Sequence, residues 1–282
     1  MQFVYRFEAM TSPCEIQIYG DDKNRADRLA QMVLQETKRL ERKYNFFHPD
    51  SYLSRINSRE RVPLDPESRF LLQKARHYYE QTHHLFDVTT GTLKFLYRDE
   101  MTREKLEESR QKLLPYVGCE RFRLTRSGVR FDNPYTRIDL GGMVKEYAVD
   151  RAVILLRKGG VRSALINYGG DIYALGRKPD GKPFRVGIKD PEARERILVQ
   201  VSLEEGGLTT SGSYERQLRT REDMFSHILS KEREVSLNNS VTVFAPTCLE
   251  SGIFSTALCI DPNLSLPGSV RALDLIALKN KE

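Results

Sequence analysis

Residues Arg137–Ala152 read RIDLGGMVKEYAVDRA, and the rest of the chain divides around them. The pattern predicts a short strand ending in the carboxylate of Asp139, a turn through Gly141 and Gly142, and a helix carrying Lys145. Without a Cβ, the two glycines let backbone N–H groups approach a ligand closely. A helix N-terminus after such a turn favours an anion, through unpaired donors and the macrodipole. Two later segments repeat the chemistry: Leu165–Asp171 (LINYGGD), with Gly169, Gly170 and Asp171, and Leu208–Arg216 (LTTSGSYER), with Thr210, Ser211 and Gly212. One Gly-Gly turn alone is an ordinary connection between elements. Three, each flanked by Asp, Asn, Thr or Ser, point to a phosphate-bearing ligand.

Upstream of this stretch, Phe3–Glu8 and Cys14–Tyr19 alternate apolar and polar residues around a Thr-Ser-Pro turn, which predicts a hairpin. Asp21 or Asp22 caps a long helix whose Leu29, Met32, Val33 and Leu40 recur at helical spacing. Asn45–Asn57 (NFFHPDSYLSRIN) is a loop with aromatics at its start and a short helical turn after them. Pro66 behind Asp65 opens another helix, carrying Phe70, Leu71, Ala75 and Tyr78 toward the core. It ends near His83-His84, a pair expected to sit partly exposed at the helix C-terminus rather than on a metal. Phe86–Leu93 (FDVTTGTL) follows as a polar loop, residues 99–114 as a charged surface helix, and Arg121–Thr125 with Val129–Phe131 as a second hairpin.

Downstream, a helix over Val144–Lys158 stops at Gly159-Gly160. Strands then dominate, at 161–167, 171–175, 184–189, 196–203, 213–219 and 239–245. A helix over about 247–258 and a strand at Ala272–Leu278 complete the chain. The order is neither repeated βαβ nor all-β, and it predicts an α+β fold with a large, mainly antiparallel sheet and packed helices. No linker, repeat or low-complexity stretch interrupts it, so residues 1–282 are expected to form a single domain.

At 39% hydrophobic and 30% charged, the chain has enough apolar residues for a sizeable core and a well-solvated surface. Its net charge of +6 raises the possibility of nucleic acid. The basic residues are interleaved with acidic ones, as in Arg103–Lys112 (REKLEESRQK), the pattern of a solvated helix face. No zinc-finger spacing or aromatic-plus-basic signature accompanies them, so no nucleic-acid partner is expected. No apolar run of about 18 residues predicts a membrane span. The opening MQFVYRFEAMTS has no apolar signal-peptide core, giving an expectation of cytoplasmic residence. Cys14, Cys119, Cys248 and Cys259 are scattered without a C-x-x-C pair and are expected as buried free thiols.

Met10-Thr11-Ser12-Pro13, Asp50–Asn57 (DSYLSRIN), Phe86–Leu93, Asp139–Arg151 (DLGGMVKEYAVDR), Ala164–Asp171, Thr210–Arg216 and Ser240–Ala257 form an ordered set. In that order, from residue 10 to about 260, the chain resembles the ApbE family, the FAD:protein FMN transferases. The resemblance implies binding of FAD and Mg²⁺, and transfer of the FMN half onto a Ser or Thr hydroxyl of an acceptor protein. Many family members are exported lipoproteins, and the missing signal sequence departs from that. By position, Met10 and Phe47 would sit against the flavin or adenine rings, with Phe86, Asp87 and Val88 lining the same cleft. Asp139, Lys145 and the Gly169-Gly170-Asp171 turn would contact the nucleotide, and Thr210-Ser211-Gly212 would add donors. His227, followed by Ile228, would lie by the phosphates. The carbonyl of Gly142 and the side chain of Thr256 would face the metal.

The chemistry asks for such groups whatever the family. Cleaving a diphosphate requires its charge to be neutralised as the leaving group departs. A hard cation held by oxygens does this and aligns the phosphoryl group. The attacking hydroxyl must lose a proton, which makes His227 and Asp139 the catalytic candidates.

The chain leaves the family pattern mainly on the metal side. After the strand Ser240–Val243 (SVTV), the family presents an Asp and, four residues later, a Thr on the same helical face. Thr256 is present, but Gly252 stands at the Asp position. Glu250, two residues away, points to nearly the opposite side of a helix. Glu146 replaces a glycine after the family lysine, His227–Ser236 (HILSKEREVS) lacks an Asp-Pro-x-Thr-Gly, Tyr97 replaces a tryptophan and Thr92 a proline. Two readings stay open: an active transferase whose metal is completed by water or another carboxylate, Asp171 being nearest by motif, or a catalytically impaired flavin-binding carrier, sensor or partner subunit. A Gly252→Asp change that switches activity on would identify the metal ligand as the lesion.

Overall fold

The N-terminal alternation folds as expected into an antiparallel hairpin of β1 (Gln2–Ala9) and β2 (Ser12–Tyr19). Its turn is tighter than the Thr-Ser-Pro reading: Ala9 pairs with Ser12, leaving Met10 and Thr11 as a two-residue connection with φ of 52° and 56°. Two consecutive positive φ values match the right-handed twist of the flanking strands, but non-glycine residues adopt them at a cost. The computed structural model describes residues 1–190, 193, 196–212, 217–237 and 240–273.

The helices α1 (Lys23–Tyr44), α2 (Tyr52–Asn57), α3 (Pro66–Gln81), α4 (Gly91–Lys94) and α5 (Arg103–Leu113) come next. The Asp22 side chain accepts from the Arg25 amide to cap α1, and Asp65 caps α3 ahead of Pro66. The strands β3 (Phe122–Thr125) and β4 (Gly128–Phe131) form the expected second hairpin. After α6 (Val144–Lys158) follow β5 (Ala164–Tyr168), β6 (Asp171–Leu175), β7 (Phe184–Lys189), β8 (Ile197–Leu203), β9 (Gly206–Gly212), β10 (Gln217–Arg219), β11 (Met224–Ser226) and β12 (Ser240–Ala245). Helix α7 (Cys248–Ile260) and β13 (Arg271–Leu273) complete the described residues. The expected strands at 213–219 and Ala272–Leu278 lie partly outside them.

A 7-stranded sheet in the order β1-β2-β5-β6-β9-β12-β13, antiparallel at each described pairing, organises the fold. The period-2 pattern divides its faces. Ile16 and Ile18, Ala164 and Ile166, Tyr173 and Leu175, and Val243 point into the main core, which α1, α6 and α7 close with Val33, Leu40, Val149, Leu156, Ile253 and Phe254. The opposite face puts Ile172, Ala174 and Leu208 against the β7–β8 ribbon through Phe184, Val186 and Ile188. β6 is therefore buried on both sides, and its DIYAL run is nearly continuous in apolar residues. Helix α7 is buried all round except at Glu250 and Thr256, as a helix apolar on every side must be.

Three local expectations change. The segment before Asp139 is extended but is not a strand: the Asn57 side chain clamps Ile138 at both its N–H and C=O (2.8 Å each), and the Asp139 amide donates to Val88 O at 2.7 Å. The Asn57 side chain and the Val88 carbonyl satisfy groups that a neighbouring strand would otherwise have paired. FDVTTGTL is not an irregular loop but a 3₁₀ turn over Val88–Thr90 running into α4, capped by Asp87. In Leu208–Arg216, Leu208–Gly212 is the end of β9 rather than a glycine bend, because it pairs with β12 from Gly207↔Ala245 to Gly212↔Ser240. His83 and His84 end α3 with positive φ, exposed as expected.

Candidate functional site

At one end of the sheet, a cleft of about 360 Å³ opens between the β1–β2 and β5–β6 turns, the start of α6, the 3₁₀ turn after α3, and α7. Met10, Phe47, Phe86, Asp87, Val88, Asp139, Gly142, Lys145, Gly169, Asp171, Thr210, Ser211, Gly212, His227, Ile228 and Thr256 all line it. These residues come from widely separated parts of the chain. Two of the expected set do not reach the cleft. Gly170, the outer residue of its turn, faces open space, and Gly252 is buried inside α7.

The two hairpin turns abut. Gly169 and Gly170 connect β5 to β6 with φ of 61° and 98°, the two-residue geometry that glycine adopts freely. The Gly169 amide donates to Pro13 O at 2.9 Å, and a Cβ on Gly169 would come within 2.9 Å of the Ser12 Cβ. Only glycine lets the turns touch so closely. Asp171, just beyond, is buried and pairs with Lys145 Nζ at 2.8 Å.

The first turn of α6 forms the floor. Its N-cap residue, Met143, makes no side-chain cap hydrogen bond, and Gly141, Gly142, Val144, Lys145 and Glu146 line the cleft. Asp139 has both oxygens engaged: Oδ1 accepts from the Gly141 amide at 2.8 Å, and Oδ2 pairs with Lys94. It shapes the Gly-Gly turn rather than offering a free carboxylate. Asp87 is likewise occupied, accepting from the Thr89 amide (2.8 Å) and hydroxyl (2.6 Å). Burial raises its pKa, and those Thr89 hydrogen bonds oppose the rise.

Aromatic rings crowd the mouth. Phe46 stacks on Phe95 at 5.3 Å and meets Phe47 edge-on at 5.2 Å, while Phe47 is 68% exposed. Lys94 Nζ lies 5.6 Å from the ring centroids of both Phe46 and Phe47. An exposed ring beside a cation suits a flat, conjugated ligand.

The opposite wall is laced with hydroxyls. Ser211 bonds Ser255 at 2.6 Å and Thr256 at 3.3 Å, and Thr209 bonds Ser251 at 2.9 Å. Asp150 of α6 accepts from the Cys248 and Leu249 amides, fixing the N-terminus of α7. Burial raises its carboxyl to about 6 despite those two bonds.

Gly252 leaves no vacancy. A Cβ there would lie 2.5 Å from Glu146 Cγ and 3.1 Å from its Cδ, so the Glu146 side chain already fills the space. Burial raises the Glu146 carboxyl to about 8, with the charge of Asp171 adding to the rise and Lys145 opposing it. Glu146 Oε2 has no hydrogen-bond partner among the described residues. Gly252→Asp would therefore crowd a second carboxylate against the first.

Sequence reasoning passed over Lys94 and Glu41. Lys94 ends the same FDVTTGTLK segment and holds Asp139, so its place beside a motif was a usable signal. Glu41 lines the cleft and accepts from the Met10 amide; nothing in the helical pattern of α1 marked it. Tyr97 lies outside the cleft, packed edge-on against Phe225 at 5.3 Å. The Thr92 hydroxyl accepts from the Arg137 amide at 2.9 Å.

An aromatic mouth, a glycine-lined floor at a helix start, and a hydroxyl-rich wall define a class: an α+β protein built to hold a flat-ringed, phosphate-bearing ligand at the end of one antiparallel sheet. The chain belongs to the ApbE family, whose model matches residues 10–269. It is 28% identical to an FAD:protein FMN transferase of Klebsiella pneumoniae over 90% of this chain and 82% of that protein. The ApbE protein of Thermotoga maritima superposes with a TM-score of 0.81 at 28% identity, covering 92% of this chain and 87% of that one. The flavin transferase ApbE of Vibrio cholerae shares the fold, with a TM-score of 0.76 at 22% identity over 99% of both chains. Among the described residues no helix is long and apolar enough to cross a membrane.

Proposed function

We propose that this chain transfers FMN from FAD to a Ser or Thr hydroxyl of an acceptor protein, acting over residues 1–282 as one flavin-binding unit. The observation that carries the proposal is the convergence of the family's separate motifs on one cleft with rings at its mouth and glycine turns at its floor. In the reaction, the acceptor oxygen attacks the FMN phosphorus, the P–O bond to the AMP half breaks, and the hydroxyl proton passes to a base. His227 is the base in this reading, because both oxygens of Asp139 are committed to Gly141 and Lys94. Phe47 and Met10 hold the ring system, and Lys145, Gly169 and the first turn of α6 hold the diphosphate.

The cleft holds residues that suit Mg²⁺: Glu146, Asp171, Gly142, Ser211 and Thr256 all line it, and the orphaned Glu146 oxygen asks for a positive partner. Bound there, the cation would offset the charge of the diphosphate. The four buried cysteines, none in a disulfide among the described residues, fit work in a reducing compartment such as the cytoplasm. A flavin-binding protein without transferase activity is the second reading, favoured by the lack of any group of three metal-ligating His, Cys, Asp or Glu side chains among the described residues. Incubation with FAD, Mg²⁺ and an acceptor bearing a Ser/Thr flavinylation motif separates the two. Fluorescent flavin on the acceptor after denaturing electrophoresis, with AMP released, supports the transferase; bound FAD with neither product supports the second reading.

A further inference from the structure

Two local costs meet at one point of the cleft wall. Gly252 sits inside a buried helix, where glycine is less favourable than alanine. Glu146, whose side chain lies over it from the first turn of α6, is a buried carboxylate with an oxygen lacking any hydrogen-bond partner among the described residues. Neither choice is explained by packing alone. An apolar side chain at 146 would fill the same space without burying a carboxyl group.

The surroundings say what the carboxylate is for. Asp171 lies within electrostatic reach of Glu146, and Lys145 pairs with Asp171 at 2.8 Å. As an anion, Glu146 together with Asp171 outweighs the Lys145 ammonium and gives a cation a negative site in the cleft. The cleft lining also presents neutral oxygens, the Ser211 and Thr256 hydroxyls, already 3.3 Å apart. An all-oxygen set with one or two carboxylates selects a hard divalent cation that completes its shell with ligand phosphates and water.

We propose that Glu146 is the carboxylate that holds the divalent cation in this cleft, reaching it from α6 across α7, and that Gly252 is small in order to admit it. The proposal rests on the FAD-binding reading above.

The test uses Mn²⁺ as the probe, with the full chain and FAD, and follows the electron paramagnetic resonance signal of free Mn²⁺. Glu146→Gln keeps the volume, removes the charge and is expected to weaken Mn²⁺ binding by at least about tenfold. FAD affinity in EDTA, measured by flavin fluorescence, is expected to stay within about threefold of the unsubstituted protein, a separation that a merely structural role would not produce. Mn²⁺ affinity unchanged in Glu146→Gln, or FAD affinity in EDTA falling as far as Mn²⁺ affinity, overturns the assignment. Failure of the unsubstituted protein to bind FAD would instead overturn the reading beneath it.

Discussion

Substitution at Gly252 is the sharpest probe of how α6 and α7 share the cleft wall. A Cβ there meets Glu146 Cγ at 2.5 Å, closer than carbon atoms tolerate, so the Glu146 side chain must move. Overpacking of this kind costs about 1–3 kcal/mol. Gly252→Ala recovers about 1 kcal/mol of helix propensity, for a net loss of about 0–2 kcal/mol. Gly252→Asp adds a third buried carboxyl group beside Glu146 and Asp171, and its expected loss is about 3 kcal/mol or more. Removing the obstructing side chain in Glu146→Ala/Gly252→Asp restores the room, so the two substitutions should couple favourably by about 1–3 kcal/mol. Urea titration of the four proteins closes the cycle, and each kcal/mol also moves the melting temperature by about 2–4 °C. A Gly252→Asp protein as stable as the parent, or a pair of substitutions whose effects simply add, would refute the contact.

Phe47→Ala removes an exposed ring, so it should shift stability by less than about 0.5 kcal/mol while weakening FAD binding about 3–10-fold, measurable by fluorescence titration. Lys145→Ala strands buried Asp171 without its 2.8 Å partner and should cost about 3–5 kcal/mol by urea titration, together with most nucleotide affinity. The Asp150 carboxyl is held up to about 6 from an ordinary 3.8, chiefly by burial, with Glu250 adding a little. Between those values the native chain keeps a proton that the unfolded chain has lost, so this group's contribution to stability declines as pH rises from about 4 to about 6, by about 3 kcal/mol at most. Asp150→Asn should flatten that decline in thermal melts across the range, and an unchanged slope would assign it elsewhere.

The strand and helix patterns that fix the sheet were legible because they are local. Alternation over β1 and β2, the Asp-Pro start of α3 and the double glycine after α6 each declare themselves within a few residues. What stayed hidden was non-local. That Ile138 is held by the Asn57 amide rather than by a strand depends on a pairing 81 positions apart. The Leu208–Gly212 segment looks like a bend by composition, yet its partner strand overrides that tendency and keeps it extended. Most of the cleft was found because its residues sit in recognisable motifs, whereas Glu41 sits in an unremarkable helix face and carries no local mark. Most instructive are Glu146 and Gly252. As sequence they are two unrelated departures, a bulky anion gained and a carboxylate lost; in space they are one exchange, the side chain at 146 occupying the room that 252 gives up.

The account stands on a single placement, that of a flavin dinucleotide in the cleft, and a crystal structure of the protein soaked with FAD and Mn²⁺ tests it directly. The expected result is the isoalloxazine or adenine ring against Phe47 and Met10, the diphosphate over Gly169 and the start of α6, and anomalous density for the cation beside Glu146 and Thr256. Dinucleotide density elsewhere, or a cleft that stays empty at millimolar FAD, would contradict it.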